Sequence, residues 1–288
     1  MRLEFVKMSG AGNDFVVADN RAGQFRADAS AIARICDRRF GVGADGILLV
    51  EPSRTADFFM RYYNADGSEA EMCGNGARCI ARYYSERCSS GKRDLKFETR
   101  AGLIEAVVNG DRVRVTLSAP HDLRLGQKLA LRSGVREYHF VNTGVPHAVF
   151  FTDHADREMV QEVGAEVRYH PEFAPRGTNV DWVQPLGGNA IRVRTYERGV
   201  EGETLACGTG VVAAAIVAHV VRSLTVPVVV TVQSGRVLEV DFQRIDERFH
   251  DVTLTGPAEY SFEGAWLEAV ADKGGESTPA LTKSRRTL

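Results

Sequence analysis

The chain is built of short apolar runs, many rich in Val, Ile and Phe, separated by turns carrying Gly, Asn and Asp. Runs of that length bounded by turn residues predict strands, and spacing of three to four predicts helices. Met1–Lys7 and Phe15–Asp19 read as strands around a Gly10-Ala11-Gly12-Asn13 turn, and Ser30–Arg39 as a helix capped by Asp28 or Ser30. Gly46–Glu51 and Phe58–Asn64 predict strands, and Ala77–Arg87 has helical spacing. Leu95–Thr99, Leu103–Val108 and Val113–Ser118 form a meander with Asn109-Gly110 as a hairpin turn.

The pattern then starts again. Tyr138–Asn142 and Ala148–Thr152 predict strands around Gly144-Val145-Pro146-His147, Asp156–Glu166 a helix, and Val180–Gln184 and Ile191–Tyr196 further strands. Gly210–Val221 is almost wholly apolar and has no polar face, so a helix enclosed by sheet is expected there. Val226–Gln233, Val237–Phe242 and Asp251–Thr255 complete the series. A shift of 134 positions superposes the two copies, pairing Asn13 with His147, Gly43 with Gly177, Tyr62 with Tyr196 and Glu69 with Glu203. A single-residue gap near Lys7 brings Phe5-Val6 onto Phe140-Val141. So long a period is not that of a solenoid; it marks two domain-sized copies. The expected organisation is an N-terminal half over 1–121, with room for a segment at about 256–270 to return to it, and a C-terminal half over 122–255. Residues 272–288 are polar, then basic, and are expected to form a disordered tail.

Composition narrows the function. With 288 residues, 44% hydrophobic and 26% charged, the chain has the make-up of an ordinary globular protein with space for two domains. A net charge of −2 argues against nucleic acid or an anionic membrane as partner. No apolar run reaches the roughly 18 residues that cross a bilayer, and the first residues lack a signal-like apolar stretch. A cytoplasmic, reducing location is therefore expected. The five cysteines (36, 73, 79, 88 and 207) are odd in number and contain no Cys-x-x-Cys, and the seven histidines are scattered. Neither a disulfide framework nor a zinc site follows, and no metal or organic cofactor is expected.

A free cysteine usually packs as a small apolar side chain, and Cys36, Cys79 and Cys88 are read that way. Cys73 and Cys207 stand apart because the same 134-residue shift pairs Cys73-Gly74-Asn75-Gly76 with Cys207-Gly208-Thr209-Gly210. Each thiol precedes a glycine turn and a helix start, where unpaired N–H groups and partial positive charge favour the thiolate. Two such thiols suit one acid and one base on opposite faces of a single carbon. A carboxylate between the helix starts would receive N–H bonds as charge develops on it during proton removal. With one cysteine in each copy, the substrate is expected in the cleft between the halves.

Taken together, Gly10-Ala11-Gly12-Asn13-Asp14-Phe15, Tyr63-Asn64-Ala65-Asp66-Gly67-Ser68, Cys73-Gly74-Asn75-Gly76-Ala77-Arg78-Cys79, Tyr196-Glu197-Arg198-Gly199, Glu203-Thr204 and Ala206-Cys207-Gly208-Thr209-Gly210 resemble the diaminopimelate epimerase family. The likeness runs in order from about Met1 to Gly264. It implies an α+β fold of two pseudo-symmetric domains, each a mixed β-sheet or barrel wrapped around a central α-helix. It implies cofactor-independent, two-base epimerisation of LL-diaminopimelate to meso-diaminopimelate, serving lysine and peptidoglycan precursor biosynthesis. Cys73 and Cys207 would be the acid–base pair, with His147 and Glu197 at the reaction centre and Glu197 also accepting from the substrate ammonium. Gly74, Asn75, Gly208 and Thr209 would bind the reacting carboxylate. Asn13, Asn64, Asn179 and Arg198 would hold the substrate, Arg198 clamping its distal carboxylate in bidentate fashion. The resemblance is also compatible with a homodimer. Val145 departs from members that carry asparagine there, which leaves one distal contact without a side-chain donor and the distal carboxylate to Asn64, Asn179 and Arg198; Gly46 departs from members with glutamine.

Three alternatives stand beside this reading. A proline-racemase-like enzyme would carry a Cys-Gly-His pattern, whereas Asn75 follows Gly74. A thiol redox switch would close Cys73 onto Cys207 but leaves the glycine-rich anion sites without a task. A non-catalytic amino-acid-binding protein has no need of two opposed thiols.

Overall fold

In the computed structural model, which describes residues 2–26 and 28–267, the two copies fold through one succession of elements. The first runs β1 (Arg2–Gly10), β2 (Asn13–Asp19), α1 (Ala29–Cys36), β3 (Gly46–Glu51), β4 (Phe58–Asn64), β5 (Glu69–Ala70), α2 (Gly74–Tyr83), β6 (Asp94–Thr99), β7 (Gly102–Asn109), β8 (Arg112–Thr116) and β9 (His121–Leu131). The second runs β10 (Gly134–Asn142), β11 (Pro146–Phe151), α3 (Val160–Arg168), β12 (Asn179–Gly187), β13 (Ala190–Glu197), β14 (Gly202–Thr204), α4 (Gly208–Arg222), β15 (Val228–Thr231), β16 (Val237–Ile245), β17 (Arg248–Pro257) and β18 (Glu259–Leu267). Thus β1 corresponds to β10, β2 to β11, and so on to β9 and β18.

Strand pairing repeats with the sequence. The parallel pairs β2–β3 and β4–β6 recur as β11–β12 and β13–β15. The antiparallel pairs β1–β2, β3–β4 and β7–β8 recur as β10–β11, β12–β13 and β16–β17. The halves are joined where β8 lies antiparallel to β17, with Val115 opposite Leu254. The last strand of each copy crosses over: β9 pairs with β10, and β18 returns to pair with β1.

The uninterrupted apolar runs have a simple cause. Strands covered on both faces need no polar alternation. In β2 and β3, Phe15, Val17, Leu48 and Val50 face the central core, while Val16, Ala18, Ile47 and Leu49 face a second core under α1. In β11 and β12, Val149 and Val183 point inward, while Ala148, Phe150, Val180 and Trp182 pack under α3. Helix α4 is buried around its circumference from Gly210 to Ala218, as its lack of a polar face predicts. It shares one continuous apolar cluster with α2, so the seam between the halves is itself packed. The fold is the expected α+β arrangement of sheet wrapped around two central helices.

Several boundaries differ from the sequence expectation for local reasons. α1 is capped by Asp28, which accepts from the Ala31 N–H at 2.8 Å, and it stops at Cys36. There Asp37 accepts the Arg39 and Phe40 N–H groups, both at 2.7 Å, and turns the chain outward. α2 begins earlier than its apolar spacing suggests, immediately after Cys73, and passes into a wide π-type turn over Tyr84–Cys88. The run Asp156–Glu166 is split into a 3-10 turn at Ala155–Arg157 and α3. β9 and β18 were not expected, because both carry many exposed polar positions. The expected tail at 272–288 lies outside the described residues. Among the described residues no helix is long and apolar enough to cross a membrane.

Candidate active site

Cys73 and Cys207 are the N-cap residues of α2 and α4, each in extended conformation with φ −143° and −111°. The strand-to-helix turn therefore places each sulfur at the exposed end of a row of backbone N–H groups. The two helix starts meet. A Cβ added at Gly208 would lie 3.8 Å from Gly74 Cα and 3.4 Å from Leu254 Cδ2. Gly10 is equally constrained, since a Cβ there would come within 2.7 Å of the Asn75 carbonyl oxygen. The end of β1 is thus pressed onto the first turn of α2.

Both thiols line one cleft of about 760 Å³, together with Gly74, Asn75, Gly208 and Thr209. Asn13, Asn64, Glu197 and Arg198 line it too, as does Val145. His147 and Asn179 stand behind this wall. Asn179 donates its amide to the Pro146 carbonyl (3.0 Å) and accepts the Arg198 backbone N–H (2.8 Å), so it fixes the strand that presents Arg198.

The two thiols have different surroundings. On the Cys207 side a line of polar groups runs inward. Cys207 Sγ is 3.4 Å from Thr209 Oγ1, Thr209 Oγ1 is 3.0 Å from His147 Nε2, and His147 Nδ1 is 2.7 Å from Asp181 Oδ2. Asp181 also accepts from Thr195 Oγ1 at 2.7 Å, and both Asp181 and His147 are fully buried. With the carboxylate on Nδ1, the imidazole carries its proton there and leaves Nε2 to accept from the Thr209 hydroxyl. On the other side, Cys73 Sγ donates to Asn13 Oδ1 at 3.6 Å. The Asn13 amide is turned by Asp45, which accepts its Nδ2 at 2.5 Å, and Asp45 is in turn held by Arg38 at 2.7 Å. Under the repeat, Asn13 is the counterpart of His147 and Ile47 that of Asp181, so the copies share backbone but not this polar machinery.

The expectation that the helix starts lower both thiol pKa values is overturned. Burial pushes the Cys73 thiol up, and the N–H groups of Gly76 and Asn75 pull against it without prevailing. Cys207 is pushed well above the usual thiol range, first by burial and then by the carboxylates of Glu197 and Asp181. Withdrawal from water outweighs the partial charge of one helix turn. Burial also raises the Glu197 carboxyl, against the Thr204 hydroxyl and His147, which lower it. Arg198 is drawn down by burial and by Arg168 and Arg176, and it forms no salt bridge among the described residues. Its guanidinium rests on the Arg176 carbonyl at 3.4 Å. An unpaired cation on a cleft wall is a receptor for an anion.

Asp45 and Asp181 were missed from sequence. Asp181 carried a signal, an acidic residue inside the apolar run Val180–Gln184, which must find a donor once buried. Asp45 sits in an ordinary Ala-Asp-Gly turn and carried none.

A family model described as diaminopimelate epimerase matches residues 5–120 and 139–260. The diaminopimelate epimerase of Aquifex aeolicus (strain VF5) is 42% identical over 284 residues, covering 94% of this chain and 100% of that protein. The diaminopimelate epimerase of Chlorobaculum tepidum is 43% identical over 262 residues, covering 89% of this chain and 98% of that protein. Among solved structures, a phenazine biosynthesis protein of the PhzF family from Bacillus anthracis superposes with a TM-score of 0.69 at 16% identity, over 93% of this chain and 100% of that one. A hydroxyproline epimerase from Agrobacterium vitis gives 0.67 at 17% identity, over 92% and 91%. At these identities the two structures share the fold.

Proposed function

The chain belongs to the diaminopimelate epimerase family, and from that premise we infer that it interconverts LL- and meso-diaminopimelate by two-base proton transfer between Cys73 and Cys207. One observation carries the reading: both thiols cap contacting central helices and line a single cleft. A substrate α-carbon between them presents its hydrogen to one sulfur and its opposite face to the other. The thiolate takes the α-proton, the electron pair moves into the adjacent carboxylate, and the opposite thiol delivers its proton. Configuration inverts, and the thiols have exchanged protonation states. The N–H groups of Gly74, Asn75, Gly208 and Thr209 stabilise the carboxylate most strongly when it carries the extra charge, so they lower the barrier and not merely the binding energy.

The remaining roles follow from position. Arg198 takes the distal carboxylate, with Asn64 across the cleft and Asn13 beside Cys73, while Asn179 acts through the Arg198 backbone. Val145 adds no side-chain donor there. Glu197 accepts from the substrate ammonium, which restores the charge that burial disfavours. His147, steadied by Asp181, exchanges hydrogen bonds with Cys207 through Thr209 and so supports either protonation state of that thiol. The two functional units are 1–121 with the returning segment at about 256–270, and 122–255, one thiol in each. In this reading the enzyme works in the cytoplasm, in lysine and peptidoglycan precursor synthesis, and its family is compatible with a homodimer.

The test is incubation of reduced protein with LL-diaminopimelate in deuterated water. Deuterium enters the α position as meso product appears, and Cys73→Ala or Cys207→Ala abolishes turnover while the circular dichroism spectrum is kept. Normal turnover in either variant would refute the two-base scheme.

A further inference from the structure

One buried charge plays no part in this scheme. Arg78, in the first turns of α2, is fully buried and forms no salt bridge among the described residues. Its guanidinium donates to the Asn75 side-chain oxygen at 2.8 Å, to the Gly74 carbonyl at 3.3 Å and to the Pro257 carbonyl at 3.4 Å. Two of these acceptors belong to the turn that follows Cys73. The third lies at the end of β17, where Gly256 leaves room: a Cβ there would come within 3.1 Å of Arg78 Nε.

This is an adverse place for a cation. An unpaired guanidinium loses its hydration when buried, and the positive end of a helix repels it. Burial draws the ionisation of Arg78 down to about 10, which still leaves it charged at neutral pH. The repeat makes the charge one-sided, because the counterpart of Arg78 is Val212. Glu197 acts on both thiols, and Cys207 has in addition the buried carboxylate of Asp181 where Cys73 has Arg78.

We propose that Arg78 is a positioning residue for the reaction, a fixed positive charge beneath the Cys73 turn that favours the thiolate at Cys73 over Cys207 and locks the two cysteine turns together. The locking runs through Asn75. Because Arg78 holds its side-chain oxygen, its Nδ2 is turned to the Ala206 carbonyl (3.1 Å), next to Cys207, and toward Asn13 Oδ1 (3.5 Å). The ionisable groups around Arg78 are Cys73, Cys79 and Arg112, and Cys73 additionally faces Glu197 and Tyr62. Among them Arg78 and Arg112 are the cations.

The inference rests on Cys73 being one of the acid–base pair, and the experiment separates the two claims. Reduced full-length protein is alkylated with iodoacetamide across a pH series, and modification of Cys73 and Cys207 is quantified separately by peptide mass spectrometry. This reads the charge at each sulfur whether or not it turns over substrate, whereas Cys73→Ala tests the reading itself. In the unmutated protein the Cys73 midpoint lies below that of Cys207. In Arg78→Met the Cys73 profile moves up by about one pH unit, a tenfold loss of thiolate at fixed pH. Turnover falls with it, the Cys207 profile stays, and Arg78→Lys recovers most of the shift. A folded R78M with an unmoved Cys73 profile, or equal movement of both thiols, overturns the proposal. Should R78M not fold, the unmutated protein decides, since a Cys207 midpoint at or below that of Cys73 is equally fatal.

Discussion

The smallest informative perturbation is one methyl group at Gly210. A Cβ there would stand 2.5 Å from Asp181 Oδ1 and 3.2 Å from Thr195 Oγ1. An ordinary contact needs about 3.4 Å, so roughly 0.9 Å must be found. The carboxylate has little freedom to supply it, being fully buried and held by Thr195 and His147 at 2.7 Å each. If it swings away, the Thr195 bond opens beyond hydrogen-bond distance. Losing one buried bond to a charged group costs about 1.5–3 kcal/mol, and replacing glycine within a helix returns about 0.5–1 kcal/mol. Gly210→Ala should therefore destabilise by about 0.5–2.5 kcal/mol, measured by urea unfolding with linear extrapolation. The same movement disturbs the His147–Thr209–Cys207 line, and an ångström of misplacement there costs roughly 100-fold in kcat. Unchanged or increased stability together with unchanged kcat would show that Asp181 does not hold the Cys207 side in place.

Gly208→Ala is the contrasting case. Its methyl would meet Leu254 at 3.4 Å, Gly74 at 3.8 Å and Asn75 Oδ1 at 3.9 Å, all ordinary contacts, so unfolding should match the parent within about 0.5 kcal/mol. The methyl fills the gap between the helix starts, and turnover in the deuterium-exchange assay should fall at least about 100-fold. Arg198→Met removes the cation that receives the distal carboxylate and should cost about 2–4 kcal/mol in kcat/KM, roughly 30- to 1,000-fold, read from steady-state kinetics. Stability should also fall at alkaline pH. Burial pushes the Cys79 thiol up from 9.0 to about 12, so its contribution is full below pH 9 and is lost as pH rises toward 12. Between those limits Cys79→Ala should flatten the fall in unfolding free energy by about 1.4 kcal/mol per pH unit.

Much of this molecule was legible in the chain. Gly46–Glu51 and Phe58–Asn64 are strands with the expected limits, because an apolar run between turn residues is a local signal. The 134-residue repeat announced two domain-sized copies, the family resemblance implied sheet wrapped around a central helix in each, and the thiol motifs marked both helix starts. The apolar spacing alone put the start of α2 at Ala77, three residues late, because Gly74, Asn75 and Gly76 are poor helix formers, placed in a helix by the packing of Gly10 and Leu48 against them. The thiol ionisation escaped for a similar reason. A helix start is visible in sequence, while the burial that overrides it belongs to the assembled cleft.

The sequence by itself determined which residues turn, extend or coil, and that all of it happens twice, since these follow from neighbours a few positions apart. The return of a segment near 256–270 to the first half was anticipated, but only the tertiary structure decided that β9 crosses to pair with β10, that α2 and α4 begin in contact, and that Cys207 has Asp181 behind it while Cys73 lies beside Asn13 and above Arg78. Those outcomes depend on partners far apart in the chain, such as His147 with Asp181 or Arg78 with Pro257. They depend too on how much water each charge loses, which is settled only when the whole core closes.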